Sequence, residues 1–318
     1  MSMGRFFKIL IVSLISTALA LAVAELVLRK KFEITPDFYR GLNSAFGRQI
    51  RKESNSLGFR DYEHSREKPA GRKRIVVLGD SITAGWGVEF NQTYPRVLES
   101  MLKKEGDFEV IVLAKPGWNT VQELAAFEEI GLSYRPDMVI VGFCLNDPER
   151  ARRDRVTRRL RRLSLYREPE GIMKPLVEHF MFFRLIYKIK EDFRVKKAFV
   201  DYINYLYSDE YQGWKHTVEA FRKLKELSLR HHFRLLVVIF PFLNYSLKSY
   251  PFMKAHVKLH KLLSGFSIPY IDLLPLLKKY SNLSLMAEPG RDPHPNATVH
   301  RIAAEQIYNY IEKEGLLR

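Results

Sequence analysis

Four short clusters hold the residues whose types could cooperate in nucleophilic chemistry. They are Gly79-Asp80-Ser81-Ile82-Thr83, Lys115-Pro116-Gly117-Trp118-Asn119-Thr120, Gly142-Phe143-Cys144-Leu145-Asn146-Asp147 and Gly290-Arg291-Asp292-Pro293-His294-Pro295-Asn296. A serine hydroxyl is a weak nucleophile at neutral pH and needs a base beside it. A histidine between two prolines suits that task, because the flanking rings restrict its backbone and so its placement. A glycine N–H and an asparagine side-chain amide can both face the negative oxygen that forms when an ester carbonyl is attacked. Each cluster also has a plainer reading. Ser81 could cap a helix or sit in a loop that cradles phosphate. Gly117 could be a turn residue, with Asn119 or Thr120 capping the next helix. Asn146 and Asp147 could be turn formers, and His294 a hydrogen-bonded loop residue. His300 is the rival base, expected to pack on the first turns of the last helix.

The elements that must position these clusters alternate along the chain. Apolar runs predict strands at Arg74–Leu78, Phe108–Ala114 and Met138–Phe143, and the first three clusters follow them directly. Helices are predicted between them at Tyr94–Lys104 and Val121–Ile130. After Asp147 the alternation breaks until about Trp214. It resumes with the helix Trp214–His231, the strand Arg234–Ile239, the helix Met253–Leu263, the strand Ile268–Asp272 and a last helix at about Val299–Glu314. Parallel strands need crossover helices, so this order predicts an α/β fold: a flavodoxin-like three-layer sandwich around a parallel sheet of about five strands. Ligands bind such sheets at the carboxyl ends of the strands, where the clusters lie.

Taken in order, Gly79-Asp80-Ser81, Gly117, Asn146-Asp147 and Asp292-Pro293-His294-Pro295-Asn296 resemble the four consensus blocks of the SGNH (GDSL-type) hydrolases. The resemblance spans roughly Arg74 to Leu317, apart from the interruption after Asp147. It implies Ser81 as nucleophile, His294 as base, Asp292 as the group that orients it, and an oxyanion hole made by Ser81, Gly117 and Asn146. One departure bears on Asp292: the family's final block usually places two residues between Asp and His, and here only Pro293 intervenes. A shortened block resembles that of membrane-anchored members, which also tend to carry a leading hydrophobic segment and a Gly-Phe-Arg turn, here Gly58-Phe59-Arg60. The implied activity is hydrolysis of acyl or acetyl esters on an envelope glycan or lipid, by an extracytoplasmic domain without a cofactor. An O-acyltransferase using the same residues, or a non-catalytic glycan- or lipid-binding module with Asp292 and His294 displaced by the short loop, are the alternatives.

The rest of the chain sets the context. Its 318 residues, nearly half of them apolar, can bury a full core. A formal charge of +16 favours an anionic partner, which excludes none of lipid headgroups, acidic glycan or nucleic acid by itself. Ile9 to Leu28 is almost uninterruptedly apolar, broken by Glu25, and is long enough to cross a bilayer. An uncleaved anchor is preferred to a signal peptide cut near Ala22-Val23-Ala24, because apolar residues continue through Leu28 before Arg29-Lys30-Lys31. The expected organisation is an anchor at 1–31, a tether at 32–71 and a hydrolase domain at 72–318 with a basic and aromatic insert at 148–213. That insert opens with Arg150, Arg152, Arg153, Arg155, Arg158, Arg159, Arg161 and Arg162, followed by an apolar piece at Phe180–Tyr187. The pairing would suit an anionic bilayer or a lid, with a solvated basic helix as the plain reading. No nucleic-acid module accompanies the arginines, so nucleic acid is not expected. The single cysteine, Cys144, lies in an apolar run and is expected to be buried, which rules out an intramolecular disulfide. No metal is implied: His256 and His260 share a helix face but lack a nearby third ligand, and are expected to be solvated or partner-facing.

Overall fold

The computed structural model describes residues 3–32, 34, 53–150 and 154–315. It divides into two compact units, Met1–Gly41 with Arg158–Asp201, and Leu42–Thr157 with Tyr202–Arg318. Arg152, Arg153, Leu317 and, within the tether at 32–71, residues 33 and 35–52 lie outside the described residues.

In the larger unit, five apolar runs form one parallel sheet: β1 (Lys73–Gly79), β2 (Phe108–Ala114), β3 (Met138–Cys144), β4 (Arg234–Phe240) and β5 (Tyr270–Asp272). The order across the sheet is β2-β1-β3-β4-β5. Every residue of β3 is buried, and β1 and β2 each have a single half-buried position, as strands covered on both faces require. Among its helices are α2 (Tyr94–Leu102) and α3 (Thr120–Glu129). The chain steps outward from β1 to β2 through α2, then back across β1 to β3 through α3. Right-handed crossovers in opposite directions put these two helices on opposite faces. The later helices follow suit, and a three-layer α/β sandwich results. The C-terminal helix Ala297–Lys313 packs against α2, and Gln212–His231 packs against α3.

The predicted elements therefore exist, with ends shifted by a few residues. Two features were not anticipated. Met286–Glu288 (β6) and Asp292–Pro295 (β7) form a small antiparallel pair, so the histidine cluster is a strand rather than a plain loop. Short prolyl segments give no period-2 signal, and Pro293, lacking an N–H, is admissible because the ladder is only two strands wide. Nor does a helix begin just after Ser81: residues 81–87 form consecutive turns, and the next α-helix starts at Tyr94.

Residues 53–71 pack along the outer edge of the sheet. Val112 on β2 donates its N–H to Asp61 (2.6 Å), and the fully buried Arg74 of β1 donates to the carbonyls of Ser65 (2.8 Å) and Glu67 (2.8 Å). An edge strand otherwise presents unpaired amides, and Asp61 of this segment takes one of them.

The smaller unit contains α1 (Met3–Lys31), the one helix among the described residues long and apolar enough to cross a membrane, with its apolar side chains exposed. Four further helices come from the stretch after Asp147 or close to it: α4 (Arg155–Leu163), α5 (Met173–His179), α6 (Met181–Leu206) and, in the larger unit, α7 (Gln212–His231). Glu25, the one charge in the apolar run, accepts the N–H groups of Met181 (2.6 Å) and Phe182 (3.1 Å) at the start of α6. Arg29 donates to the His179 carbonyl (2.6 Å). A carboxylate at a helix N-terminus satisfies amides that have no partner within the helix.

Candidate active site

Ser81 stands two residues beyond the end of β1, half-buried, with its Oγ 3.0 Å from His294 Nε2. His294 Nδ1 lies 2.6 Å from Asp292 Oδ1, which also accepts the His294 backbone N–H (3.0 Å). The other oxygen, Oδ2, accepts the indole N–H of Trp86 (3.1 Å), and the Trp86 and His294 rings lie 5.7 Å apart. The short block does not part the two side chains: in extended β7 the residues two apart share a face, and the carboxylate meets the ring above Pro293. Burial pushes the Asp292 carboxyl up, but the hydrogen bond and charge of His294, its N–H and Trp86 outweigh burial and hold it below its ordinary range.

Gly117 and Asn146 leave the same edge of the sheet. Gly79 of β1 pairs with Ala114 of β2 and with Gly142 of β3, so the three chain segments emerge side by side. Gly117 is exposed at φ +83°, and Asn146 is half-buried in the turn that follows β3. Among the described residues no backbone carbonyl takes the N–H of Ser81 or of Gly117. Asn119 links the two outer loops. Its Oδ1 accepts from Gln122 N–H (3.0 Å) at the start of α3, and its Nδ2 donates to the Glu149 carbonyl (2.7 Å). The helix-cap reading of Asn119 thus holds, with a cross-link between loops that the sequence did not disclose.

The turns after Ser81 are braced from outside the four clusters. Arg60, buried, donates to the carbonyls of Ala84 (3.2 Å), Gly85 (2.7 Å) and Val88 (3.1 Å). Gly85 and Gly87 have φ of +78° and +89°, and a Cβ on Gly87 would stand 2.5 Å from the Ala287 side chain beside the histidine strand. Only glycine lets these turns pass so close to β6. Asp80 accepts the Ile82 N–H (2.8 Å), and burial pushes its carboxyl up to about 6. Behind it, Glu123 and Asp147 are buried, and burial, then the charge of Asp80 on Glu123 and of Glu123 and Asp80 on Asp147, pushes both well up. The sequence offered no signal for Arg60's contacts or for a buried Glu123.

His300 packs as expected, fully buried on the C-terminal helix (Ala297–Lys313), where its Nδ1 accepts the Tyr94 N–H (3.1 Å). Burial brings it down to about 3, so it is neutral. Cys144 is buried. A cavity of about 200 Å³ opens beside the asparagine loop, lined by Asn119, Gln122, Asp147, Glu149, His216 and Thr217, and neither Ser81 nor His294 lines it. His256 and His260 depart from expectation. His256 is fully buried, and both rings meet Asp272 at the end of β5, a partner distant in sequence and therefore invisible to spacing.

The family model for GDSL-like lipase/acylhydrolases matches residues 77–302. Solved structures of similar fold include a two-domain esterase active on acetylated mannans, at 15% identity and TM-score 0.45, covering 76% of this chain and 49% of that one. The chain thus spans about half the length of that esterase. The lipase/acylhydrolase from Enterococcus faecalis aligns at 15% identity and TM-score 0.45, over 76% of this chain and 96% of its own. An acetyl xylan esterase aligns at 15% identity and TM-score 0.43, over 75% and 99%. A comparison with curated proteins finds no match.

Proposed function

The chain belongs to the GDSL-like lipase/acylhydrolase family, a class of carboxylic ester hydrolases, and we propose that it is a membrane-anchored serine esterase that removes acyl or acetyl groups from an envelope glycan or lipid. The observation that carries this reading is the chain of contacts Ser81 Oγ to His294 Nε2 (3.0 Å) and His294 Nδ1 to Asp292 Oδ1 (2.6 Å). In this reading His294 takes the hydroxyl proton as Ser81 Oγ attacks the ester carbonyl. The ring then gives that proton to the departing alcohol, leaving an acyl-Ser81 ester. Water, deprotonated by the same ring, attacks the acyl carbon, and the ring returns that proton to Ser81 Oγ as the carboxylic acid is released. Asp292 fixes the ring's orientation and stabilises the transient imidazolium. The N–H groups of Ser81 and Gly117 and the amide of Asn146 hold the oxyanion, each donor contributing about 10²- to 10³-fold in rate.

α1 serves as an uncleaved anchor, and the hydrolase unit works outside the cytoplasm, where envelope esters are. In the smaller unit, Phe182, Ile186, Ile189 and Phe193 recur at helical spacing along α6 and are exposed, with Lys190, Lys196 and Lys197 beside them. Such a face fits the headgroup boundary of an anionic bilayer, and α6 starts where Glu25 and Arg29 near the end of α1 hold it.

The test is covalent labelling of the full chain by a fluorophosphonate. Labelling is expected in the wild type, lost in Ser81→Ala and reduced by about 10²-fold or more in His294→Ala. A folded wild type that takes no label would end the esterase reading.

A further inference from the structure

His256 and His260 stand one turn apart on α8 (Met253–Gly265), and Asp272 ends β5, the edge strand beside it. His256 Nδ1 and His260 Nε2 each lie 2.8 Å from the same oxygen, Asp272 Oδ2, and the three atoms all fall within 4.8 Å of one another. We propose that these three side chains form a binding site for a zinc-class divalent ion, which clamps α8 onto the sheet edge.

The donor set argues for the class. Two imidazole nitrogens and one carboxylate oxygen suit a borderline ion such as Zn²⁺, whereas Ca²⁺ and Mg²⁺ call for more oxygens. Ligand bonds of about 2.0–2.2 Å put neighbouring ligand atoms about 3.3–3.6 Å apart in a tetrahedron. The nitrogen-to-oxygen spacing of 2.8 Å is shorter than this, so an ion requires the carboxylate to withdraw and the two nitrogens, which lie within 4.8 Å, to stand at the same tetrahedral spacing.

The surroundings hold the ligands in place. Asp272 Oδ1 accepts the Leu274 N–H (2.9 Å), which fixes the carboxylate plane. The His260 ring stacks on Tyr270 at 4.7 Å, and Tyr250 meets the His256 ring edge-on at 5.4 Å. Preset outer contacts of this kind are what orient metal ligands. His256 is fully buried, but the His260 side chain is 29% exposed, which supplies both a route for the ion and a side open to a water as fourth ligand. β5 has only three residues, so an ion joining it to α8 would secure the weakest strand of the sheet. Two strands, β3 and β4, separate β5 from the strand that carries Ser81, so the ion has no part in ester cleavage.

The experiment uses the full chain in detergent, stripped with a chelator and titrated with Zn²⁺ in competition with a chromophoric chelator, with Co²⁺ absorption as a second readout. One equivalent of Zn²⁺ is expected to bind and raise the melting temperature, and Co²⁺ is expected to give the strong visible bands of four-coordinate geometry. His260→Gln and Asp272→Asn should each weaken binding by about 100-fold or more, whereas His231→Gln, on an exposed helix end, should leave it unchanged. All three variants should keep fluorophosphonate labelling, which shows that they fold and separates this proposal from the esterase reading. A wild type with no ion-dependent change, or binding that survives His260→Gln and Asp272→Asn, would overturn it.

Discussion

At Asp292 a two-residue spacing brings a carboxylate to the histidine ring. In an extended strand, residues i and i+2 share a face, so the Asp292 carboxylate reaches the His294 ring directly while also taking the His294 and Trp86 N–H groups. The carboxylate is thus satisfied at three points, and its loss should be felt in the rate rather than in the fold. Asp292→Asn is expected to lower the rate of fluorophosphonate labelling by about 10²- to 10⁴-fold while leaving the melting temperature within a few degrees, because the amide keeps the shape and loses the charge that supports the imidazolium. A labelling rate within a factor of two of the wild type would show that Asp292 does not orient the base. The residues of this site were legible because each follows a strand or precedes a helix, positions readable from apolar runs and turn residues. Their supports were not: the Arg60 contacts to residues 84, 85 and 88, and the link from Asn119 to Glu149, join segments 24 to 30 positions apart, which no local pattern records.

At the level of elements, the alternation of apolar runs and helical stretches gave the sheet and its crossovers, because strands covered on both faces are apolar throughout. The segment 53–71 had no such rhythm, and only contacts define it. His64 shows how it is held: its ring bridges Asp61 (3.0 Å) and Glu109 of β2 (2.8 Å). Burial alone would lower this histidine, but the hydrogen bonds and charges of Asp61 and Glu109 outweigh it and raise it above its ordinary value of 6.5. A group raised on folding stabilises fully below its unfolded value, and the contribution fades as pH climbs through the folded one. His64→Asn is therefore expected to lower the melting temperature more at about pH 6 than at about pH 9. An equal loss at both would show that the protonated ring adds nothing. The small β6 and β7 pair escaped for a related reason. Three- and four-residue strands with two prolines carry no periodicity, yet this pair delivers His294 to the serine.

At the scale of the whole molecule an apolar helix and a net charge of +16 accompany the hydrolase sheet, and the proposed anchor raises the question of which side of a membrane that sheet faces. By the positive-inside rule Arg29, Lys30 and Lys31 outnumber Arg5 and Lys8 by three to two, a margin of one charge. Arg29 is also engaged, with Glu25 and with the His179 carbonyl, in fixing the start of α6. A basic flank with such a structural task does not set sidedness by its charge alone, and the proposed envelope substrate would lie outside. One feature makes the question directly testable: Cys144 is the only cysteine and is buried, so a single introduced thiol can be read without background. Arg230→Cys, exposed near the end of α7, should react with a membrane-impermeant maleimide in intact spheroplasts. Phe193→Cys, 76% exposed in the protein alone, should react only after detergent if its helix face rests on a bilayer as proposed. Reaction of Arg230→Cys only after lysis would place the hydrolase in the cytoplasm, and equal reaction of both thiols before detergent would show that α6 stands clear of the lipid.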